Sequence, residues 1–232
     1  MSKKLYEETD IQNIADSIRE KNGLTTTYKV SEMAQAIKDI QSGSGSDDNN
    51  TLNNFISGSI TAVESNATTV RLYAFFRLSS LTTVSLPNAT DIGSSAFTSC
   101  TALTSVSLPK VKIINTYGFQ KCSALISINL PSVTAIYNSG FQECSNLSVV
   151  DLGVIKTIAA AAFYSCTSLN KLIIRGSTVC SLNSINALNG SQMTAGTGTI
   201  YVPDDLVDDY KSATNWSTFA DQIKPLSEYI GE

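Results

Sequence analysis

AFTSCTALTSVSLP at residues 96–109 is followed by GFQKCSALISINLP at 118–131 and by GFQECSNLSVVDLG at 140–153. The three segments align without a gap at a period of 22 residues, and looser copies precede and follow them. Each copy carries a phenylalanine at the same place, namely Phe75, Phe97, Phe119, Phe141 and Phe163. One such unit is too small to bury its own apolar face, so a fixed period of this length predicts a solenoid of stacked coils.

Each repeat combines the pattern of a strand with the pattern of a tight turn. The Val-x-Leu segment alternates apolar and polar residues, which is typical of a half-buried strand. The proline that follows ends the strand because it has no N–H for the next ladder bond. In Ala-Phe-x-x-Cys-x-x-Leu the apolar residues are three apart, which favours a helical turn of the 3₁₀ kind. The pattern therefore predicts short parallel strands stacked about 4.8 Å apart, each joined to a corner and a helical turn.

Taken together, Leu-x-x-Val-x-Leu-Pro, a later Ile and then Ala-Phe-x-x-Cys resemble the leucine-rich repeats of the BspA-like bacterial type. The resemblance implies a right-handed, curved solenoid with a concave parallel sheet. The expected fold class is thus a leucine-rich repeat solenoid with a parallel β-sheet and short 3₁₀ or helical turns. A small two-helix module at the N-terminus completes this expectation.

Composition narrows the possible partners. The chain has 232 residues, a net charge of −4 and 16% charged residues, without a basic patch of the kind that nucleic acid requires. No apolar run reaches the roughly eighteen residues that a membrane span needs. The N-terminal stretch becomes acidic and amphipathic where a signal peptide would have an apolar core. We therefore expect no nucleic acid partner, no membrane partner and synthesis in a cytoplasm.

The cysteines follow the repeat. Four of the five occupy one repeat position, and Cys180 falls 22 residues after Ile158, at the position that Ile92 defines. This regularity favours small, reduced core residues over disulfides. A zinc site would need paired Cys, or Cys with His, at short spacing, and the chain has no His. We expect no metal and no cofactor.

Residues 1–41 lie outside the repeat and carry two apolar stripes at helical spacing. The stripes consist of Ile11, Ile14 and Ile18 and of Met33, Ile37 and Ile40. Two helices this short are marginal alone, so the stripes are expected to anchor or oligomerise the chain. The segment resembles an N-terminal module of virion proteins from phages that infect Gram-positive bacteria. That resemblance implies contacts with other virion proteins and a homo-oligomer.

The rest of the chain is expected to form three parts. Residues 42–51 read as a flexible Gly/Ser linker, 52–199 as the solenoid and 200–232 as a C-terminal strand with a helical cap. In the last part of the solenoid, Ile185 and Leu188 are expected on repeat positions. A helix is expected over residues 204–211, and a second helix is expected to begin at Trp216 and end at Pro225.

Catalytic residues are not expected, because no His can serve as a base and the strand positions hold few carboxylates. The outward positions of the concave sheet are small, neutral and rich in hydroxyls. The candidate binding residues there are Thr83, Ser85, Ser105, Ser107, Ser127, Asn129, Val149, Asp151, Lys171 and Ile173. Such a surface is either a solvated face that the repeat tolerates or a docking surface for a host surface glycan or protein.

The leading hypothesis is a non-enzymatic phage virion protein, namely a tail fibre, a baseplate appendage or a head decoration subunit. Its N-terminal helices would attach it to the virion, and its solenoid would bind a host surface molecule. One alternative is a BspA-like adhesion module on a bacterial cell surface. A further alternative is a cytoplasmic scaffold for protein interactions.

Overall fold

The computed structural model describes residues 61–231. The expected two-helix module, with Ile11, Ile14, Ile18, Met33, Ile37 and Ile40, and the expected linker over 42–51 lie outside the described residues. Within residues 61–231 the chain winds as a solenoid with two stacks of parallel strands. The helices in this part of the chain are all too short or too polar to cross a lipid bilayer.

The first stack, which we call the broad sheet, carries the Val-x-Leu segments. Its strands are β1 (Ala62–Glu64), β3 (Thr83–Ser85), β5 (Ser105–Ser107), β7 (Ser127–Leu130), β9 (Val149–Leu152), β11 (Lys171–Ile174), β13 (Thr199–Val202) and β14 (Ile223–Pro225). Strand β1 pairs with β3 through Val63 and Val84, so the register of the repeat is already present in the first described coil. The solenoid expected from the period is confirmed.

The second stack, the narrow sheet, consists of two-residue strands that follow the proline corner. They are β2 (Thr69–Val70), β4 (Asp91–Ile92), β6 (Ile113–Ile114), β8 (Ala135–Ile136), β10 (Thr157–Ile158) and β12 (Ser181–Leu182). Each strand pairs in parallel with the next, and its second residue is buried. The isoleucines of the repeat therefore form the inner surface of a sheet that the pattern analysis did not predict.

The segment around each Phe is not a 3₁₀ helix. Alternate N–H groups make turns within the coil, as from Gly118 to the Asn115 carbonyl, while Phe119 donates to the Gly140 carbonyl of the next coil. The residues two before and two after each Phe have left-handed backbones with φ between 54° and 62°, and none of them is glycine. Each such residue costs roughly 1–2 kcal/mol. The alternation turns every second N–H toward the next coil, which a regular helix cannot do.

The core is a set of columns along the solenoid axis. The Phe rings stack face to face, with centroids 4.9 Å apart for Phe97 and Phe119 and 5.3 Å apart for Phe119 and Phe141. Beside them, the Cys122 thiol donates to the Phe97 carbonyl at 3.2 Å. The thiols of the other three repeat cysteines likewise donate to the Phe carbonyl of the preceding coil. All five cysteines are buried and reduced, as expected from their spacing.

The period slips in the last coils. Leu182, and not Cys180, pairs with Ile158, so the expected place of Cys180 is wrong by two residues. Ile185 is 44% exposed and lies off the core, whereas Leu188 is fully buried. The Phe163 N–H donates to the Ala187 carbonyl, which places Leu188 where the Phe of the next repeat would lie. Extra residues between β10 and Leu188 account for both corrections.

The C-terminal residues close the solenoid. A 3₁₀ turn at Asp204–Leu206 leads into helix α1 (Val207–Ser212), and a second 3₁₀ segment spans Trp216–Gln222. The second helix does not run to Pro225 as expected, because β14 begins at Ile223 and pairs in parallel with β13. The cap therefore contributes a further strand to the broad sheet.

Candidate functional site

The outer surface of the broad sheet presents two rows of side chains in register. The first row contains Thr83, Ser105, Ser127, Val149 and Lys171, and the second contains Ser85, Ser107, Asn129, Asp151 and Ile173. Thr83, Ser105, Ser107, Ser127 and Asn129 are exposed, and Ser85, Val149, Asp151 and Lys171 are half-buried. The parallel register brings nine of the ten expected residues to one solvent-facing surface, which we call the outer face.

A neighbouring row of hydroxyls serves the fold. Thr82, Thr104 and Ser148 each donate a side-chain hydrogen bond to a carbonyl of the preceding coil, at 2.7, 3.1 and 3.0 Å. Ser105 and Ser107 lie one and three positions after Thr104, and Ser127 lies one position after Ile126. The hydroxyls of these three serines make no such bond within residues 61–231. Hydroxyls of the outer face are therefore available to a ligand, whereas those of the neighbouring row are not.

The broad sheet is divided between β5 and β7. Strands β1, β3 and β5 form one hydrogen-bonded group, and β7, β9, β11, β13 and β14 form another. In the preceding coil, the N–H groups of Thr104 and Ser105 donate to the Thr82 carbonyl. Ile126 and Ser127 have no corresponding bond to the Thr104 carbonyl among the described residues. The adjacent narrow strands β6 and β8 remain paired, so the gap is confined to the outer face.

At the C-terminal end of the outer face, Ile173 is an exception to the expectation. The alternation of side chains along β11 would point Ile173 outward, yet Ile173 is fully buried. Its neighbours in register are Asp151 and Tyr201, and the Tyr201 ring packs on Tyr229 with centroids 5.1 Å apart. The C-terminal segment thus brings aromatic side chains to this end of the face, and Ile173 is removed from the set of candidate contact residues.

Asp151 is held by Arg175. The guanidinium donates from Nε and from an Nη to the two carboxylate oxygens of Asp151, each at 2.8 Å. This side-chain hydrogen bonding raises the pKa of Arg175. Arg175 occupies the place that Pro87 and Pro109 hold in earlier repeats. It was not among the expected site residues, and its departure from the proline pattern is the signal that could have identified it.

Exposed tyrosines lie along the turn segments, away from the outer face. Tyr73, Tyr117, Tyr137 and Tyr164 are between 37% and 44% exposed. Tyr73 and Tyr117 have left-handed backbones, and the Tyr73 ring contacts Phe76 edge-on. Their exposure leaves them available as a second surface, but the register does not bring them together with the expected binding residues.

The cysteines are placed for packing. Burial raises the pKa of Cys100 and of Cys180 to about 12, and burial also raises the pKa of Cys122 and Cys144. Such thiols stay protonated at neutral pH and are poor nucleophiles and metal ligands. Among residues 61–231, no group of three or more His, Cys, Asp or Glu side chains is arranged to hold a metal ion.

Comparisons with known proteins agree with this architecture. A search of curated proteins found no match. A leucine-rich repeat protein from Eubacterium ventriosum has a similar crystal structure, with 25% identity, a TM-score of 0.50 and coverage of 59% of this chain and 42% of that chain. The pneumococcal vaccine antigen PcpA is similar in fold, with 15% identity, a TM-score of 0.53 and coverage of 72% and 40%. The chain thus spans about two fifths of the length of each of these structures.

The repeats themselves match a family model. The model describes a BspA-type leucine-rich repeat region, and six copies of it match residues 68–188. This range holds more than half of the chain. It contains all five Phe residues of the stacked column, from Phe75 to Phe163. The chain therefore belongs to the BspA-type leucine-rich repeat family.

Proposed function

We propose that the chain is a non-enzymatic binding protein whose outer face binds a glycan or protein on a host cell surface. The supporting observation is the contrast between hydroxyl rows. The hydroxyls of Thr82, Thr104 and Ser148 bond to the preceding coil, whereas the side-chain hydroxyls of the exposed Ser107 and Ser127 make no hydrogen bond within residues 61–231. A row of uncommitted neutral donors and acceptors along a rigid sheet suits a long surface ligand.

The chemistry of the outer face favours binding over catalysis. Asp151, the carboxylate among the nine candidate residues of this face, is engaged by both of its oxygens with Arg175. No His is present in the sequence to act as a general base. The face is therefore suited to hold a ligand without transforming it.

We further propose that this binding protein is part of a phage virion, as a tail fibre, baseplate appendage or head decoration. Support comes from residues 1–41, whose two apolar stripes and following Gly/Ser segment suit an anchor joined to a binding domain. Partners would then be other virion proteins at the N-terminus and further copies of the chain. A bacterial cell-surface adhesion module is the second candidate, and membership in the BspA-type family favours it.

Binding to cells tests the role of the outer face. Fluorescently labelled chain is incubated with a panel of bacterial cells, and bound label is measured by flow cytometry. Ser107→Arg and Ser127→Arg place long cations on the outer face, and both are expected to abolish binding. Ser181→Arg makes the same change on an exposed position of the narrow sheet and is expected to leave binding intact. Equal binding by all three variants would contradict the assignment of the face.

Antibody labelling distinguishes a location on the phage virion from one on the bacterial cell surface. Antibodies against the chain are applied to cultures of the producing strain after phage induction and are visualised with gold by electron microscopy. Label on purified phage particles supports the virion proposal. Label on the envelope of uninduced cells supports adhesion instead, and label confined to the cytoplasm would contradict both.

A further inference from the structure

The gap between β5 and β7 coincides with a change in one row of the repeat. The residue just before the strand is polar in four coils and is Ile126 at the gap; the polar residues are Thr82 before β3, Thr104 before β5, Ser148 before β9 and Asn170 before β11. Ile126 has no hydroxyl with which to reach the Thr104 carbonyl, unlike Thr104 and Ser148 in their own coils. Ile126 is thus the apolar member of this row, and the start of its strand is where the main-chain bonds to the preceding coil are missing.

The gap leaves main-chain groups uncommitted where solvent and ligands reach them. Among the described residues, the Thr104 carbonyl accepts no main-chain bond from Ile126 or Ser127, and those two N–H groups have no main-chain acceptor in the coil before them. Thr104, Ile126 and Ser127 are all exposed. Main-chain polar groups in a paired sheet are normally satisfied by the neighbouring strand. Here one acceptor and two donors at exposed residues lack the partners that the other coils supply.

The surroundings of the gap are both apolar and neutral. Ile126 is 57% exposed, which is unusual for so large an apolar residue at the start of a strand. The hydroxyls of Ser105 and Ser127 flank it, and Asn129 follows along β7. Residues 104–108 and 126–130 contain no charged side chain. The site therefore offers one apolar platform, several donors and acceptors, and no net charge.

These properties fit one chemical class of ligand. A sugar ring has an apolar C–H face and hydroxyls that both donate and accept hydrogen bonds, so it can use the platform and the main-chain groups together. An added peptide strand is less suitable, because strand addition needs a free sheet edge. Strands β5 and β7 are each already paired on their other side, with β3 and β9.

We propose that a neutral sugar residue of a surface glycan binds at the gap between β5 and β7. Its C–H face lies on Ile126, and its hydroxyls bond the Thr104 carbonyl and the N–H groups of Ile126 and Ser127. This assignment depends on the proposed function and narrows its ligand from glycan or protein to a neutral glycan. It also makes Ile126, which was not among the expected binding residues, the central contact of the site.

A glycan array with defined oligosaccharides tests the assignment. The array carries neutral oligomers of glucose, galactose, mannose and N-acetylglucosamine beside acidic glycans, and the full chain is applied with two variants. Ile126→Thr supplies the missing hydroxyl and removes the apolar platform, so affinity for neutral glycans is expected to fall about tenfold or more. Ile185→Thr makes the same change at another exposed isoleucine and is expected to keep affinity within about twofold.

A second substitution at Ile126 controls for misfolding of the first. Ile126→Ala removes the platform without adding a hydroxyl, and it is also expected to weaken neutral-glycan binding. Circular dichroism and the unfolding midpoint of each variant show whether the solenoid is intact. Loss of glycan binding in both folded Ile126 variants, with retention in Ile185→Thr, supports the site.

Other outcomes overturn it. Undiminished binding by Ile126→Thr, or binding to acidic glycans alone, would place the ligand elsewhere or change its class. A chain that binds no glycan on the array but still binds cells, and loses that binding in Ser107→Arg, would reject the sugar site while the proposed function stands. A chain that binds neither glycans nor cells rejects both.

Discussion

At the scale of single residues, each coil from Phe97 to Phe163 contributes one Phe and one Cys to continuous columns. Phe119 lies between Phe97 and Phe141 with nearly parallel rings, at interplanar angles of 7° and 2°. The Cys144 thiol donates to the Phe119 carbonyl at 3.0 Å, so the two columns are joined across coils. A substitution in either column therefore affects two interfaces, one on each side of its coil.

Phe119→Ala should destabilise the solenoid by about 3–5 kcal/mol, because it opens a cavity between two stacked rings. The measurement is urea unfolding followed by circular dichroism. Tyr164→Ala removes a ring of similar size from an exposed position and should cost less than about 1 kcal/mol. A loss of that small size for Phe119→Ala would contradict the stacked core.

The buried thiols predict a loss of stability at alkaline pH. The pKa of Cys100 is raised from 9.0 to about 12 in the folded chain. Its contribution is present in full below pH 9 and is lost as the pH rises toward 12, because only the unfolded chain then releases the proton. The slope is about 1.4 kcal/mol per pH unit for one thiol. Unfolding free energies measured with reductant between pH 8 and pH 10.5 should fall more steeply for the native chain than for Cys100→Ala, and equal slopes would contradict this account.

At the scale of elements, the end of the narrow sheet is completed by side chains of the cap. The last strand, β12, has no following coil, yet Trp216 donates from Nε1 to the Cys180 carbonyl at 2.7 Å and Asn215 donates from Nδ2 to the Leu182 carbonyl at 2.6 Å. The Tyr210 hydroxyl accepts from the Cys180 N–H at 3.0 Å. The cap thus supplies the hydrogen bonds that a further strand would have made.

Trp216→Phe should lower the free energy of unfolding by about 1–3 kcal/mol, since it leaves the Cys180 carbonyl buried without a donor. Denaturant unfolding with intrinsic Tyr fluorescence measures the change. Tyr137→Phe, at a position that is 44% exposed, serves as the control and should be within about 0.5 kcal/mol of the native chain. No difference between the two variants would show that the cap does not satisfy the strand edge.

The 22-residue period of the sequence predicts part of the secondary structure and of the core. The strands of the broad sheet, the buried Phe and Cys columns and nine of the ten outer-face positions follow from the spacing, whereas the two-residue strands of the narrow sheet were not predicted. The left-handed residues around each Phe are Tyr, Ser, Lys, Arg, Glu or Ala, so no Gly or Asn marks them. The slip before Leu188 and the strand β14 arise where the period ends. Ile126 reads as tolerated variation, because a missing interstrand bond has no pattern of its own.

At the scale of the whole molecule, the solenoid and the N-terminal residues are expected to be separable. The register of the repeat is established by β1, whose Val63 pairs with Val84. From there to the cap, successive described coils are joined by main-chain hydrogen bonds, with the gap between β5 and β7 as the exception. The outer face is built from the described coils, and we propose that the N-terminal residues mediate assembly.

Deleting residues 1–41 should leave a folded monomer, and the full chain should be a defined oligomer. Light scattering coupled to size-exclusion chromatography gives both masses, and thermal unfolding shows whether the shortened chain is intact. Two monomers would mean that the N-terminal residues await a different partner. A shortened chain that is unfolded would contradict the separation of the two parts.

The interlocking of successive coils has a consequence for inheritance. Apart from the junction between β5 and β7, each coil offers the next one the same carbonyls at the same places, so an in-frame duplication or loss of one such repeat in the gene preserves the junctions up to the capped end. Recombination between the repeat segments can therefore change the length of the protein in whole coils. A lineage under pressure from a changing receptor can adjust the reach of the outer face by such events, while the cap and the N-terminal segment are inherited unchanged.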